Sequence, residues 1–300
     1  MDRAGLLAVL AALALPSCQP AAHVPGIVDV AGPRSDGRLV LSTRSGLFLL
    51  RPGGTPQPFA AGSYTAEGGE PYIALGCGDD LFALDADATP GVWRVSRAGA
   101  SSRLADLPEG VFPSGIAYDT TGRFGHRVLV TGVVNGATTL YAIDCAGRTA
   151  TVTTGAPRVE GGIVVAPRTF GHFRGDLIAA DENSGKIYAF GPRGAVALVA
   201  DSGVAAGSDL GVEALGFVPA GPTRTAYLAD LGAPGSPTQG TDSLLALPLR
   251  GVRTGDLLAA AEGGAATIAV RCGRSCTVRA IAAGPATTHG EGHVAFTPTP

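Results

Sequence analysis

GDLIAADENSGKIYAFGPRGAVALVADSG (175–203) can be laid over GDLLAAAEGGAATIAVRCGRSCTVRAIAAG (255–284). Each stretch opens on Gly-Asp-Leu, runs through a short apolar segment, turns at Asp, Glu, Gly or Ser, and repeats that pattern twice more. Apolar runs of four to eight residues bounded by turn residues read as strands, and self-similarity at a fixed period marks a repeat architecture. Weaker copies begin at Gly37 (GRLVLSTRSGLFLL), Asp79 (DDLFALDADATPGVWRV), His126 (HRVLVTGVVNGATTLYAI) and Arg224 (RTAYLADLG, then DSLLALPL). Six copies at roughly 45-residue spacing predict an all-β chain, a six-bladed β-propeller of four-stranded antiparallel blades.

Each copy needs an innermost strand. GIVDVAG, EPYIALG, PSGIAYD, EGGIVVAP, VEALGFVP and GEGHVAFTP supply six, the last at the C-terminus, where pairing with chain near the N-terminus is expected to close the ring. The borders between 244 and 300 stay open, because one blade lacks an evident outer strand or the next an inner one.

The composition agrees with a turn-rich β protein: 45 Gly and 22 Pro in 300 residues, 45% apolar and only 16% charged. A net charge of −3 offers no basic stripe for nucleic acid. Ahead of the repeats, MDRAGLLAVLAALALPSCQP has an apolar run from Leu6 to Leu15, too short to span a bilayer but of signal-peptide length. Leu15-Pro16-Ser17-Cys18 resembles a bacterial lipobox; an ordinary secretory signal is the competing reading. The expected organisation is therefore a signal peptide over 1–18 with lipidation at Cys18, a tether over 19–24 and the propeller over 25–300. The product would be exported and lipid-anchored to the bacterial cell envelope, touching the membrane through the anchor alone, and monomeric. Removing Cys18 leaves four cysteines. Cys272 and Cys276 flank a three-residue turn between apolar runs, so a disulfide there is expected, worth about 2 kcal/mol on the chain-entropy model; Cys77 and Cys145 remain as a second pair.

Aligning the inner strands puts Glu70, Ser114, Glu160, Glu213 and Glu291 at one mouth of the channel. Glycines beside them (Gly69, Gly161, Gly162, Gly290, Gly292) let backbones crowd an axis. The turns between second and third strands fall on the same face and carry Asp85, Asp87, Asn135, Asp181 with Glu182, Asp230 and Glu262. Converging carboxylates favour a hard cation, so Glu70, Glu160, Glu213 and Glu291 are candidate ligands of Ca²⁺, with Ser114, Asp181 and Asp230 as candidate ligand-binding residues. Asp and Asn in such turns also bond their own backbone, the alternative reading for the turn acids. His293, two residues past Glu291, is either a general base or a capped core histidine. The Phe-Gly-His loops at 124–126 and 170–172 fall on the opposite face, with Phe124 and Phe170 expected under their blades. The turn 231–243 reads as a lip over the acidic mouth or a tolerated insertion. Neither GxSxG nor HExxH nor a phosphate-binding loop occurs.

PSGIAYDTTGRFG, EGGIVVAP and GVEALGFVP, with ADENSGKIYAF between, resemble the six-bladed propellers of the gluconolactonase/regucalcin family and of NHL-type repeats. That resemblance implies a calcium ion on the channel axis that polarises a lactone or ester carbonyl. Glu70, Glu160 or Glu213 would fill its carboxylate positions, while the family's Pro-Asn-Gly motif appears here as Pro113-Ser114-Gly115 and loses the amide ligand. Two functions follow as expectations: a metal-dependent lactonase or esterase-like hydrolase acting on a small molecule, or a non-catalytic propeller that binds a ligand or an envelope protein.

Overall fold

The computed structural model describes residues 15–60, 64, 69–87, 89–207, 210–249 and 251–298. The apolar run of the expected signal peptide lies almost wholly outside the described residues. Among the described residues no helix is long and apolar enough to cross a membrane.

The chain opens with β1 (Gln19–His23), so the segment expected to be a tether is a strand. Four consecutive antiparallel sheets follow. They are β2 (Ile27–Ala31), β3 (Leu39–Thr43), β4 (Gly46–Leu50) and β5 (Gln57–Phe59); β6 (Ile73–Leu75), β7 (Leu81–Asp85), β8 (Gly91–Val95) and β9 (Ser101–Asp106); β10 (Phe112–Tyr118), β11 (Val128–Val134), β12 (Ala137–Ile143) and β13 (Thr149–Ala156); and β14 (Glu160–Val165), β15 (Leu177–Asp181), β16 (Lys186–Phe190) and β17 (Val196–Asp201). Then come β18 (Val212–Phe217), β19 (Thr223–Asp230), β20 (Ser243–Pro248), β21 (Leu257–Ala261), β22 (Thr267–Cys272), β23 (Cys276–Ala282) and β24 (Gly290–Pro298). The result is an all-β propeller of antiparallel sheets.

Among the described residues the separate four-stranded sheets number four, not the expected six. The remaining strands form one eight-stranded sheet in the order β1-β20-β19-β24-β18-β21-β22-β23. Its two halves meet at a single parallel pair, Leu215 with His293. Inner strands are exchanged there relative to the expected alignment. VEALGFVP (β18) pairs with β21, and GEGHVAFTP (β24) pairs with β19. The chain leaves β18, lays β19 and β20 into the other half, and returns for β21. β24 is an inner strand as expected, but it pairs with β19 rather than with chain near the N-terminus, and the N-terminal β1 completes the sheet by pairing with β20, Gln19 facing Ala246 and His23 facing Ser243. An otherwise open edge is thereby covered.

Strand burial follows position in each sheet. Every residue of β2 and β3 is buried, whereas β13 and β23 are largely exposed. Strands buried on both faces read as unbroken apolar runs, which is why the inner segments were easy to pick out. Apolar layers fill the space between neighbouring sheets, for example Val28, Tyr72 and Phe82 against Ile116, Val130 and Tyr141. Another lies within the eight-stranded sheet, Leu245 and Leu247 with Leu258 and Ile281. The inner strands β2, β6, β10, β14, β18 and β24 touch one another in that cyclic order. Phe124 and Phe170 are buried in these layers as expected.

Cys272 and Cys276 form the expected disulfide across the β22–β23 turn. Cys145 is free and exposed, so it makes no bridge to Cys77. Cys18 is 2% exposed and packs among Leu245, Ile281 and Ala282.

Candidate functional site

Glu70, Glu213 and Glu291 come together, whereas Glu160, expected beside them as a ligand, pairs with Arg158 and joins none of the trios described below. Glu70 precedes β6, Glu160 opens β14, and Glu213 and Glu291 are the second residues of β18 and β24. Two turn acids join them: Glu182 follows β15 and Glu262 follows β21. Glu182, Glu213, Glu262 and Glu291 are all buried. Three trios bring one side-chain atom from each member within 4.8 Å of the others: Glu70, Glu213 and Glu291; Glu182, Glu213 and Glu262; and Glu262, His289 and Glu291. Glycine makes the approach possible. Gly161 has φ +76°, and a Cβ there would collide with the Glu213 carboxylate; one on Gly162 would overlap the Gly292 carbonyl.

Tyr72 stands at the centre of the first trio. Its hydroxyl oxygen lies 2.5 Å from Glu70 Oε2, 2.9 Å from Glu213 Oε1 and 2.9 Å from Glu291 Oε2. One hydroxyl donates one hydrogen, so it satisfies one carboxylate only. At least one of the two buried carboxylates, Glu213 or Glu291, is then left to carry a proton or meet a cation. Glu213 Oε2 goes further: it is buried and has no hydrogen-bond partner. Burial first, then the neighbouring carboxylates, push Glu213 and Glu291 well above the usual carboxylate range. Glu160 is pushed up to about 7 by burial and by Glu70 and Glu182, against the pull of Arg158. Arg158 pairs with Glu160 and lies 3.7 Å from Glu182. His289 Nε2 is 3.0 Å from Glu262 Oε1 and 3.3 Å from Glu291 Oε1, and its Nδ1 is 3.0 Å from Thr238 Oγ1.

The other candidates stand apart. Ser114 Oγ donates to the Val159 carbonyl at 3.0 Å, a tie between two sheets. Asp181 accepts from Asn183 N and Ser184 Oγ, closing its own turn. Asp230 accepts from Thr241 Oγ1 and, at 2.8 Å, from His289 N, so it positions His289 without joining the trios. The 231–243 segment is pinned: Gly232 N donates to Asp242 Oδ1, Gly240 N to Thr287 O, and Thr238 is buried against His289. His293 is a strut. Its Nδ1 is 2.9 Å from Asp29 Oδ2, and its Nε2 reaches the carbonyls of Ile116 and Ile163 at 3.1 and 3.0 Å. Asp29 also accepts from Ile73 N and His293 N. The pair thus ties β2, β6, β10, β14 and β24 at the axis. Burial pulls the His293 pKa down, but Asp29 and the carbonyls outweigh it and the net shift is upward.

Sequence reasoning missed Asp29 and His289. An aspartate inside the apolar run IVDVA was one available signal. The other was His289 itself, immediately before β24 and two residues ahead of Glu291.

No family model matches the chain, and no curated protein sequence matches it. Solved structures do. A calcium-binding protein, regucalcin, from Agrobacterium tumefaciens str. C58 is 12% identical with a TM-score of 0.55, covering 94% of this chain and 82% of its own. A streptogramin B lyase is 12% identical with a TM-score of 0.53, covering 88% and 72%. A protein of unknown function from Bacteroides thetaiotaomicron VPI-5482 is 11% identical with a TM-score of 0.55, covering 95% and 68%. At these identities the likeness is one of fold.

Proposed function

We propose that the chain is a cation-dependent, lactonase or esterase-like propeller hydrolase whose divalent ion, calcium first, is held by Glu70, Glu213 and Glu291. The buried, unpartnered Oε2 of Glu213 carries this reading. A carboxylate oxygen stripped of water without a donor costs several kcal/mol unless a proton or cation meets it. Oxygen donors from several carboxylates suit calcium, which would act as a Lewis acid toward a carbonyl. Glu160, near 7 and with 16% of its side chain exposed, is the acid placed to transfer a proton at the mouth. Arg158, 42% exposed beside it, offers the positive charge that a substrate oxygen would meet. In this reading the eight-stranded sheet serves as two blades, so six inner strands surround the site. Export and lipid anchoring through Cys18 belong to the same proposal; they require the Cys18 side chain to leave the apolar cluster in which it packs.

A second reading, a non-catalytic binding propeller, is favoured by one observation: both ring nitrogens of His293 are engaged, which removes the candidate base suggested by sequence. Metal analysis and calcium-dependent melting of the full chain and of Glu213→Gln test the site. Bound calcium and a rise in melting temperature lost in the variant are expected. No bound ion and no shift in the folded native protein would overturn it. Turnover of lactones or aryl esters by the calcium-loaded protein separates hydrolase from binder.

A further inference from the structure

We propose that the axial cluster holds two divalent cations, the second a transition ion bound by Glu262, His289 and Glu291, with Glu291 bridging the pair. This rests on the cation reading above and adds a site of different chemistry. The two oxygens of Glu291 face different groups: Oε2 lies 2.9 Å from the Tyr72 hydroxyl beside Glu70 and Glu213, and Oε1 lies 3.3 Å from His289 Nε2. A carboxylate presented to two ligand sets through its two oxygens is the arrangement that two-metal sites use, with ions about 3.5–4 Å apart. Glu213 and Glu262 complete the link through the trio they share with Glu182. The unpartnered, buried Glu213 Oε2 lies in the trio that shares Glu262 with this set, so an unmet polar atom adjoins it.

The ion class follows from the donors. Calcium takes oxygen ligands, whereas an imidazole nitrogen beside two carboxylates suits manganese, iron, cobalt or zinc. The imidazole is also held as a ligand is held. Its Nδ1 meets Thr238 Oγ1 at 3.0 Å, which leaves Nε2 directed at Glu262 and Glu291. Its backbone N–H is fixed by Asp230, and Thr238 by the pinned 231–243 segment. Such outer partners orient a ligating histidine and typically govern metal affinity 10–100-fold.

Cobalt(II) titration of the metal-stripped full chain, read by calorimetric stoichiometry and visible absorption, tests this. Two equivalents are expected for the native protein and one for His289→Gln, with calcium displacing a single equivalent. Thr238→Val, which leaves every proposed ligand in place, is expected to weaken only the second site, by about 10-fold or more. One equivalent in the native protein with unaltered binding in both variants would overturn the second site and leave the single-cation reading standing; His289 would then be the charged partner of two carboxylates. Displacement of both equivalents by calcium would overturn the assignment of a transition ion. No cobalt and no calcium bound would overturn both readings.

Discussion

Glu213 has opposite effects on the metal-free and the loaded protein. Its pKa is raised by burial and by the surrounding carboxylates, so the folded state keeps a proton that the unfolded chain releases above about pH 4.3. The folded state then binds more protons than the unfolded one, and stability falls as pH rises above that value. Metal-free melting temperature is therefore expected to drop between about pH 5 and pH 8. Glu213→Gln should flatten that drop, melt higher than the native protein at pH 8, and lose the calcium response; a variant that melts lower and still responds to calcium contradicts the assignment. His293 acts in the same direction, over a higher pH range. Its raised pKa contributes stability that is full below the unfolded value near 6.5 and is lost as pH rises through the folded value. His293→Ala leaves Asp29 buried without its partner and is expected to cost about 3–5 kcal/mol in denaturant unfolding; a loss below 1 kcal/mol would show that the strut is dispensable. At this scale the sequence was partly legible. Repeat position identified Glu70, Glu160, Glu213 and Glu291, because all four precede the same apolar strand. It selected Asp181 where its neighbour Glu182 turns inward, since a shift of one residue reverses the direction of a side chain and no pattern in ADENSG says which acid faces the axis.

The strands themselves were read from length and burial, and β14 to β17 follow the quoted repeat closely. The exchange of inner strands between the halves of the eight-stranded sheet was not legible. Sequence neighbours pair in space about two-thirds of the time, and the apolar content of VEALGFVP and GEGHVAFTP fits either partner. Nor was β1: QPAAH has little apolar character and four of its five residues are exposed, so its role comes from backbone pairing to β20 alone. Deleting residues through His23 is expected to uncover the β20 edge and Leu245, lowering the melting temperature and promoting association. Light scattering and melting of the shortened chain check this; a monomer of native stability would mean that β1 contributes nothing to closure.

Across the whole molecule, chemistry is divided along the axis. Acids, His289 and Arg158 gather at one mouth, and the Asp29–His293 pair lies beneath them. Ala74, Leu75, Ala117, Ile163 and Phe217, together with Thr120 and His293, line a largely apolar depression. The exchanged sheet sets the order in which this arrangement is completed. Glu213 enters on β18, Glu262 with β21, and His289 and Glu291 only with β24, which lies between β19 and β18 in the sheet. Until β24 is laid between β18 and β19, Glu182, Glu213 and Glu262 can meet, but neither trio that contains Glu291 can form. In the proposed reading, cation binding through Glu291 is therefore coupled to closure of the eight-stranded sheet, and a chain with β24 detached is expected to lose it.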